Sequence, residues 1–474
     1  MSWTRKINFT KIFEVNIKGS LFWLIILIAG SYFLFASSCA QISNPTGGVK
    51  DSIPPRLVRA TPDLRAVSVT GNKITLNFDE YIDVQEVQKN LLISPLQKQQ
   101  PVITAGLRSI NIRLRDSLLP NTTYSINFGD AIKDLNEGNI FRNFTYVFST
   151  GPTIDSLTLS GKVVMAENGK TDSTMIAMLY RDAPDSAVQK RKPDYITRLH
   201  TDGSFTFENL PSASFKLYAL KDGDGGRTYN SLSEAFAFLD QPVMPSSNAE
   251  QRTLYAFIVD KQGPKPTPVK PLGEKRLRIT SNIIEGKLDQ LGSLRLSINN
   301  PIVSSSLDSI ILLDTNLVKQ PATLVFDSTR KQLDVTSAWK PGNAYILAIP
   351  KNSLRDSLGT TLLRNDSIRF VVRANEDYGR LVLRFPNIDL KRKPVLQFVQ
   401  NDLVVKSYPL ASNEWRSQLF QPGEYEIRIL YDTNGDGKWT PGDYAVKRQP
   451  EVAVTLPQKL SIRADWDNER DISL

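Results

Sequence analysis

The sequence predicts an all-β protein built from tandem β-sandwiches arranged as a duplicated pair. Three observations carry this. From Ile53 onward, short runs alternate apolar and polar residues: AVSV, KITLNF, NLLIS, SINIRL, TYSINF and FTYVFST. Turn residues separate the runs every eight to twelve positions, which is the pattern of half-buried antiparallel strands and not of βαβ units. The second half then repeats the first. LRLSINNPI (294–302) overlays ITLNFDEYI (74–82) at an offset of 220, and PGNAYIL (341–347) overlays PNTTYSI (120–126) at 221. Between the halves lies GPKPTPVKPLG, 263–273, a Pro-rich stretch that favours an extended, semi-rigid linker.

The chain opens with a different pattern. Residues 1–20 carry Arg5, Lys6, Lys11 and Lys18 against one acid, Glu14. Fifteen mostly apolar residues follow, Leu21 to Phe35, then Ala36-Ser37-Ser38 and Cys39. A basic segment, an apolar core and small residues make a secretory signal. The apolar core is short for a bilayer span, which needs about 20 residues. Cys39 is the only cysteine, and it stands directly after the small residues. The stretch resembles a bacterial lipoprotein signal, although Ala36 stands where leucine is usual. The resemblance implies cleavage before Cys39 and lipidation of its sulfur and new amino terminus. Several acyl chains, each contributing about 0.8 kcal/mol per buried CH₂, would anchor the chain stably. Ala40, in place of Asp, implies by the same resemblance sorting to the outer membrane. QISNPTGGVK carries no acidic cluster of the surface-export kind, which leans towards the periplasmic side. Residues 39–52 then read as a polar tether.

The first module is expected over 53–152. It resembles the bacterial Ig-like domains of the S-layer type: Ile53-Pro54-Pro55 opens it, and Phe78-Asp79-Glu80-Tyr81 stands where that family ends a strand in a turn. Leu119-Pro120-Asn121-Thr122-Thr123-Tyr124 and Phe148-Ser149-Thr150 match its later motifs. The second is expected over 153–260. Its core phrase, Asp202-Gly203-Ser204-Phe205 with Asn209-Leu210-Pro211 and Phe215-Lys216-Leu217-Tyr218-Ala219, resembles the carboxypeptidase-regulatory, transthyretin-like sandwich. That resemblance implies an accessory module without chemistry of its own. The linker, 261–273, is followed by a second Ig-like module over 274–376, where Leu354-Arg355-Asp356-Ser357-Leu358-Gly359 echoes Ile132-Lys133-Asp134-Leu135-Asn136-Glu137-Gly138. A second transthyretin-like module is expected over 377–474, where FQPGEYEIRILYD (420–432) overlays ENLPSASFKLYALKD (208–222). Such an array reads as a rod whose modules touch mainly their neighbours.

Composition narrows the chemistry. The net charge is +9, of which residues 1–38 hold +3, so the remainder carries +6. No dense Lys/Arg run argues for nucleic acid; RKPDYITR (191–198) and DLKRKP (389–394) are the most basic stretches. With one cysteine there is no internal disulfide, and with His200 alone there is no His-rich metal site. Asp-Ser followed by Ala, Ile, Leu or Thr occurs nine times, where ordinary usage gives roughly two. The pattern resembles the O-glycosylation sequon of exported Bacteroidota proteins. The candidate acceptors are Ser52, Ser117, Ser156, Ser173, Ser186, Ser309, Ser328, Ser357 and Ser367. The alternative is that Asp-Ser simply makes good turns.

One stretch has the spacing of a cation loop. Asp432, Asn434 and Asp436 fall at positions 1, 3 and 5, and Gly437 at 6. The carbonyl of Lys438 at 7, Thr440 at 9 and Asp443 at 12 complete a twelve-residue Ca²⁺ pattern of hard oxygen donors. It follows a strand, not a helix, and Asp443 makes it similar to the dockerin variety. The alternative is a polar turn that needs no metal. Its counterpart, Asp222, Asp224, Gly226, Thr228 and Asn230, has Ser233 at position 12 and Glu234 beyond, and reads as degraded. Asp79-Glu80 is a carboxylate pair, but the repeat places Asn299 and Asn300 there, which favours a structural turn. Trp439, Trp415, Trp466 and Tyr444 could stack on sugar faces, or pack over the loops and strands they belong to.

Together these features lead us to expect a non-enzymatic outer-membrane lipoprotein, anchored by its lipid, that scaffolds or contacts other envelope proteins. An accessory subunit of an outer-membrane machine is one version. The alternative is a Ca²⁺-dependent carbohydrate-binding or adhesion lipoprotein. A hydrolase built on carboxylates ranks last, and no organic cofactor is expected.

Overall fold

The computed structural model describes residues 51–247, 251–260 and 276–473. The signal, Cys39, the tether up to residue 50 and the linker 261–273 lie outside the described residues.

Module 1 is a sandwich. One sheet orders Leu57–Thr61, Lys73–Phe78, Ser109–Arg113 and Val102–Ala105; the facing sheet orders Leu92–Ser94, Thr123–Asn127 and Thr145–Ser149. Alternation does what it predicts. In Lys73–Phe78 every second residue, Ile74, Leu76 and Phe78, is buried, and Ser109–Arg113 buries Ile110 and Ile112. These meet Tyr124, Ile126, Tyr146 and Phe148 of the other sheet. Ile82–Val84 pairs with Ile132–Asp134 at the end of the sandwich.

Module 3 repeats this plan. Ile279–Ser281, Leu294–Ile298, Gln332–Thr336 and Thr323–Phe326 form the first sheet. Asp366–Val372, Ala344–Ile349 and Ile311–Asp314 centre the second, and Ile302–Ser305 pairs with Leu354–Asp356 as Ile82–Val84 does with Ile132–Asp134.

Modules 2 and 4 share another plan. In module 2, Leu157–Met165 sits between antiparallel Ser204–Leu210 and parallel Arg252–Ala256. In module 4, Gly379–Arg384 sits between antiparallel Glu414–Phe420 and parallel Asp467–Asp471. The second sheets correspond as well. Tyr195–Arg198, Ile176–Arg181, Phe215–Leu220 and Phe236–Phe238 match Leu403–Pro409, Pro394–Gln400, Gly423–Tyr431 and Val452–Thr455 in order. The duplication read from the sequence therefore extends to strand order and direction.

The expected rod is corrected. Sequence neighbours do touch: Leu96 N–H donates to Asp194 O (2.7 Å) between modules 1 and 2, and Tyr378 Oη donates to Asp289 (2.6 Å) where modules 3 and 4 meet. However, module 4 also folds back onto module 2. One apolar cluster joins Met178, Tyr180, Tyr218, Phe236, Phe238 and Phe257 of module 2 to Tyr444, with Trp439 packed against it. The physical reason is composition: these aromatics fill the outer face of a module 2 sheet whose inner face already holds its own core. A second apolar face has to be covered.

Candidate functional site

The chemistry-bearing residues gather around two loops that are copies of each other. In module 4 the pairing of Gly423–Tyr431 with Val452–Thr455 ends at Tyr431↔Val452, so Asp432 and Glu451 come next and face each other across the neck of the loop. In module 2, Phe215–Leu220 pairs with Phe236–Phe238 up to Leu220↔Phe236, and Lys221 N–H donates to Ala235 O at 2.8 Å. The next two residues across that neck are Asp222 and Glu234.

The Asp432 loop is filled by its own donors. Asp432 is 3 % exposed, and its two oxygens accept from Gly435 N (2.6 Å) and Gly437 N (2.7 Å). Both glycines take positive φ, +81° and +74°, a conformation that disfavours any side chain there. Asn434 Oδ1 accepts from Asp436 N (2.8 Å), its Nδ2 donates to Thr440 Oγ1 (2.7 Å), and Asp436 accepts from Lys438 N (2.7 Å). Asp443 is set apart in the next turn, accepting from Ala445 N (2.9 Å). Hydrogen bonds thus join four of the six residues singled out by spacing, Asn434, Asp436, Lys438 and Thr440, while Asp432 holds the loop glycines and Asp443 lies elsewhere.

Glu451 was missed by that spacing. It is buried, and Oε1 accepts from Thr433 N (2.7 Å), Thr433 Oγ1 (2.8 Å) and Asn434 N (3.2 Å), while Oε2 accepts from Thr440 N (3.0 Å). Trp439 Nε1 donates to Glu451 O at 2.7 Å. A template that ends at position 12 cannot find it; an acid placed immediately before the next strand can.

Among the described residues, one group of three carboxylates brings its ligand atoms within 4.8 Å of one another. It is Asp222, Asp224 and Glu234, in the loop that reads as degraded.

The other candidates resolve as follows. Asp79 Oδ1 accepts from Arg56 N (2.8 Å), and its repeat partner Asn299 accepts from Arg278 N (3.0 Å), so both serve the same turn. Burial first, then the carboxylates of Asp134 and Asp79, pushes Glu80 above its ordinary value. Of the nine candidate acceptor serines, all but Ser186 are exposed, and Ser186 is half-buried. Several of the aspartates before them do hold turns: Asp172 accepts from Thr174 N (2.9 Å) and Asp327 from Gln332 N (2.9 Å). Trp415 packs against Phe398 (5.5 Å) and Tyr408 (4.8 Å), and Trp439 and Tyr444 are part of the contact between modules 2 and 4. All three rings are used in packing: Trp415 within its own module, as the alternative reading had it, and Trp439 and Tyr444 against module 2, which that reading did not foresee. Trp466 is 58 % exposed, with the Arg463 guanidinium over its ring.

That contact, the seam, is specific. Tyr444 Oη donates to Asp185 O (2.8 Å), so the proton between the Tyr444 and Tyr218 hydroxyls, 2.8 Å apart, comes from Tyr218. Gln449 Nε2 reaches Phe238 O (3.2 Å) and Asp240 (2.8 Å), Lys170 pairs with Asp402 (2.5 Å), and Ala453 N donates to Ala166 O (2.7 Å). A Cβ on Gly442 would lie 2.6 Å from the Phe257 ring, so the approach requires glycine there.

Residues 51–150 match the family model of the bacterial Ig-like domain. No curated protein matches the chain. Among solved structures, the chain is similar to BcpA, the major pilin subunit of Bacillus cereus, at 10 % identity over 67 % of this chain and 99 % of that one, with a TM-score of 0.17. It is also similar to the S-layer protein rSbsC(31-844), at 13 % identity over 88 % and 54 %, TM-score 0.16. The BSP domain of a biofilm associated protein gives 8 % identity over 89 % and 99 %, TM-score 0.16. At these TM-scores the likenesses carry no argument about function.

Proposed function

We propose that the chain is a non-catalytic, lipid-anchored module of the outer membrane that holds another envelope protein. The observation that carries this is a strand edge. Leu403–Pro409 ends its sheet, and on its outer side it pairs with no described strand. Leu403, Val404 and Val405 are 69, 43 and 46 % exposed along it. Lys406, turned in over the Phe420 ring, and Pro409 blunt the far end of this edge, so the Leu403–Val405 stretch, with its exposed apolar side chains, is the part that can serve as a template for a strand of another chain. The Ig-like match over 51–150 agrees with a structural or adhesive role. The carboxylates at Asp79, Asp432 and Glu451 accept hydrogen bonds from turn and loop backbone, which supports a structural use over an acid–base one.

Two experiments test this. With a tag after Leu474, gentle solubilisation should recover one envelope protein at about one copy per chain. Val404→Lys together with Val405→Glu should reduce that recovery by about tenfold, a loss of about 1.4 kcal/mol, with melting unchanged. A chain that purifies alone would refute the scaffold reading. Separately, Cys39→Ser should release the protein from washed membranes. Retention after alkaline washing would show that the lipid is not the anchor.

A further inference from the structure

We propose that the loop between Phe215–Leu220 and Phe236–Phe238 is a binding site for a hard divalent cation of the calcium type, held by Asp222, Asp224 and Glu234. This goes beyond the scaffold reading and does not depend on it.

Asp222 and Glu234 are like charges placed opposite each other where two antiparallel strands part, a destabilising arrangement when nothing lies between them. Asp224 brings a third carboxylate, and the ligand atoms of all three lie within 4.8 Å of one another. Glu234 is only 9 % exposed. Its Oε1 has one long contact, from Gly223 N at 3.4 Å, and its Oε2 is buried with no hydrogen-bond partner. Asp222 Oδ1 is likewise buried without a partner. A buried, unpartnered carboxylate oxygen is costly, and native structures leave few of them. The adjacent ammonium does not help, because Lys221 pairs with Asp172 at 2.8 Å.

The twin loop is an internal comparison. There the equivalent pair, Asp432 and Glu451, faces the same neck, yet all four oxygens accept from protein donors. Gly435, Gly437, Thr433 and Thr440 supply those donors. In the module 2 copy one oxygen of each acid, Asp222 Oδ1 and Glu234 Oε2, is buried with no such donor. The same fold therefore satisfies its neck acids from within in one copy and needs a cation in the other.

The donor set names the class of ion. Three carboxylates and the loop carbonyls are hard oxygen ligands, which suit Ca²⁺; the cluster offers no imidazole or thiolate for a softer metal. Asp224 is already oriented, accepting from Gly226 N (2.7 Å) and Asn230 Nδ2 (2.9 Å). The site also reaches the seam. Tyr229, in the same loop, stacks on Phe236 with centroids 4.0 Å apart, lies 6.4 Å from Tyr444, and donates its N–H to Val188 O (2.9 Å). An ion that orders the loop stiffens the surface on which module 4 rests.

The test uses the full chain in detergent, stripped with chelator and dialysed against calcium at about millimolar concentration, the range of extracellular modules. One Ca²⁺ per chain should be retained, and melting should rise by roughly 3 °C at ten times Kd. Glu234→Gln should lose the ion and the rise, yet melt higher than the parent without calcium, because the facing charge is gone. Asp436→Asn should keep both binding and rise. No retained calcium in the parent, or retention in Glu234→Gln with loss in Asp436→Asn, would overturn the assignment.

Discussion

Tyr444→Ala is expected to detach module 4 from module 2 while leaving each sandwich folded. The ring is 6 % exposed and meets Phe238 at 5.1 Å, Phe236 at 5.2 Å and Tyr218 at 5.8 Å. Truncating a buried aromatic of this kind costs about 3–5 kcal/mol. The Tyr218 hydroxyl would then be buried without its acceptor, adding about 1–3 kcal/mol. Burial pushes both phenols above their ordinary value, so the pair stays neutral and intact through neutral pH. The core of module 4, built from Leu381, Leu383, Phe398, Ile427 and Ile429, is untouched by the change. Melting should therefore split into separate transitions. The Ala453 amide, which bonds to Ala166 O across the seam, should exchange quickly in the variant and slowly in the parent. Tyr444→Phe keeps the ring and should show a partial effect of about 1–3 kcal/mol.

Asp356→Ala should destabilise module 3 by about 3–5 kcal/mol. Asp356 is 0 % exposed and accepts from Leu358 N (3.0 Å), Thr360 N (2.8 Å), Thr360 Oγ1 (2.6 Å) and Asn300 Nδ2 (2.9 Å). Its repeat partner Asp134 accepts from Glu137 N (2.5 Å), Gly138 N (2.8 Å) and Asn139 N (2.9 Å), so Asp134→Ala should act alike on module 1. Burial opposes ionisation of Asp356, but the bonds from Thr360 and Asn300 outweigh it and hold the carboxyl below its ordinary value. For Asp134 the backbone amides do the same. A folded-state value held down in this way means that the stabilisation is complete above the unfolded value of about 3.9, and is lost as pH falls through the folded one. Thermal melting of the parent should fall with acid below about pH 4. In Asp356→Ala that part of the acid dependence should be missing, and a variant that keeps the parent's profile would assign the acid response to other carboxylates.

Strand alternation and the repeat were readable because both are local. KITLNF buries every second residue as written, and the 220-residue offset carries over to strand order. The echo of Asp134 in Asp356 was readable as a pattern, but its role was not, since burial depends on the strand that covers it. The seam was not readable at all. Tyr444, Gly442 and Trp439 sit in a loop without periodicity, and their partners are some 200 residues away. Of the neck acids, Glu451 was overlooked and Glu234 was noted only as lying beyond the template, for a different reason. A twelve-residue template counts along the loop, whereas these residues are set by register across it. The ranking of the two loops depended on which oxygens the fold had already satisfied, and spacing alone carries no record of that.

Module 4 folds back onto module 2 through the Tyr444 seam. Small-angle X-ray scattering of the detergent-free Cys39→Ser protein tests it most directly, with Tyr444→Ala as the opened reference. The parent should give a compact profile that matches the folded-back arrangement, and Tyr444→Ala a larger radius of gyration. A parent profile already as extended as four modules in a row, and unchanged by Tyr444→Ala, would contradict it.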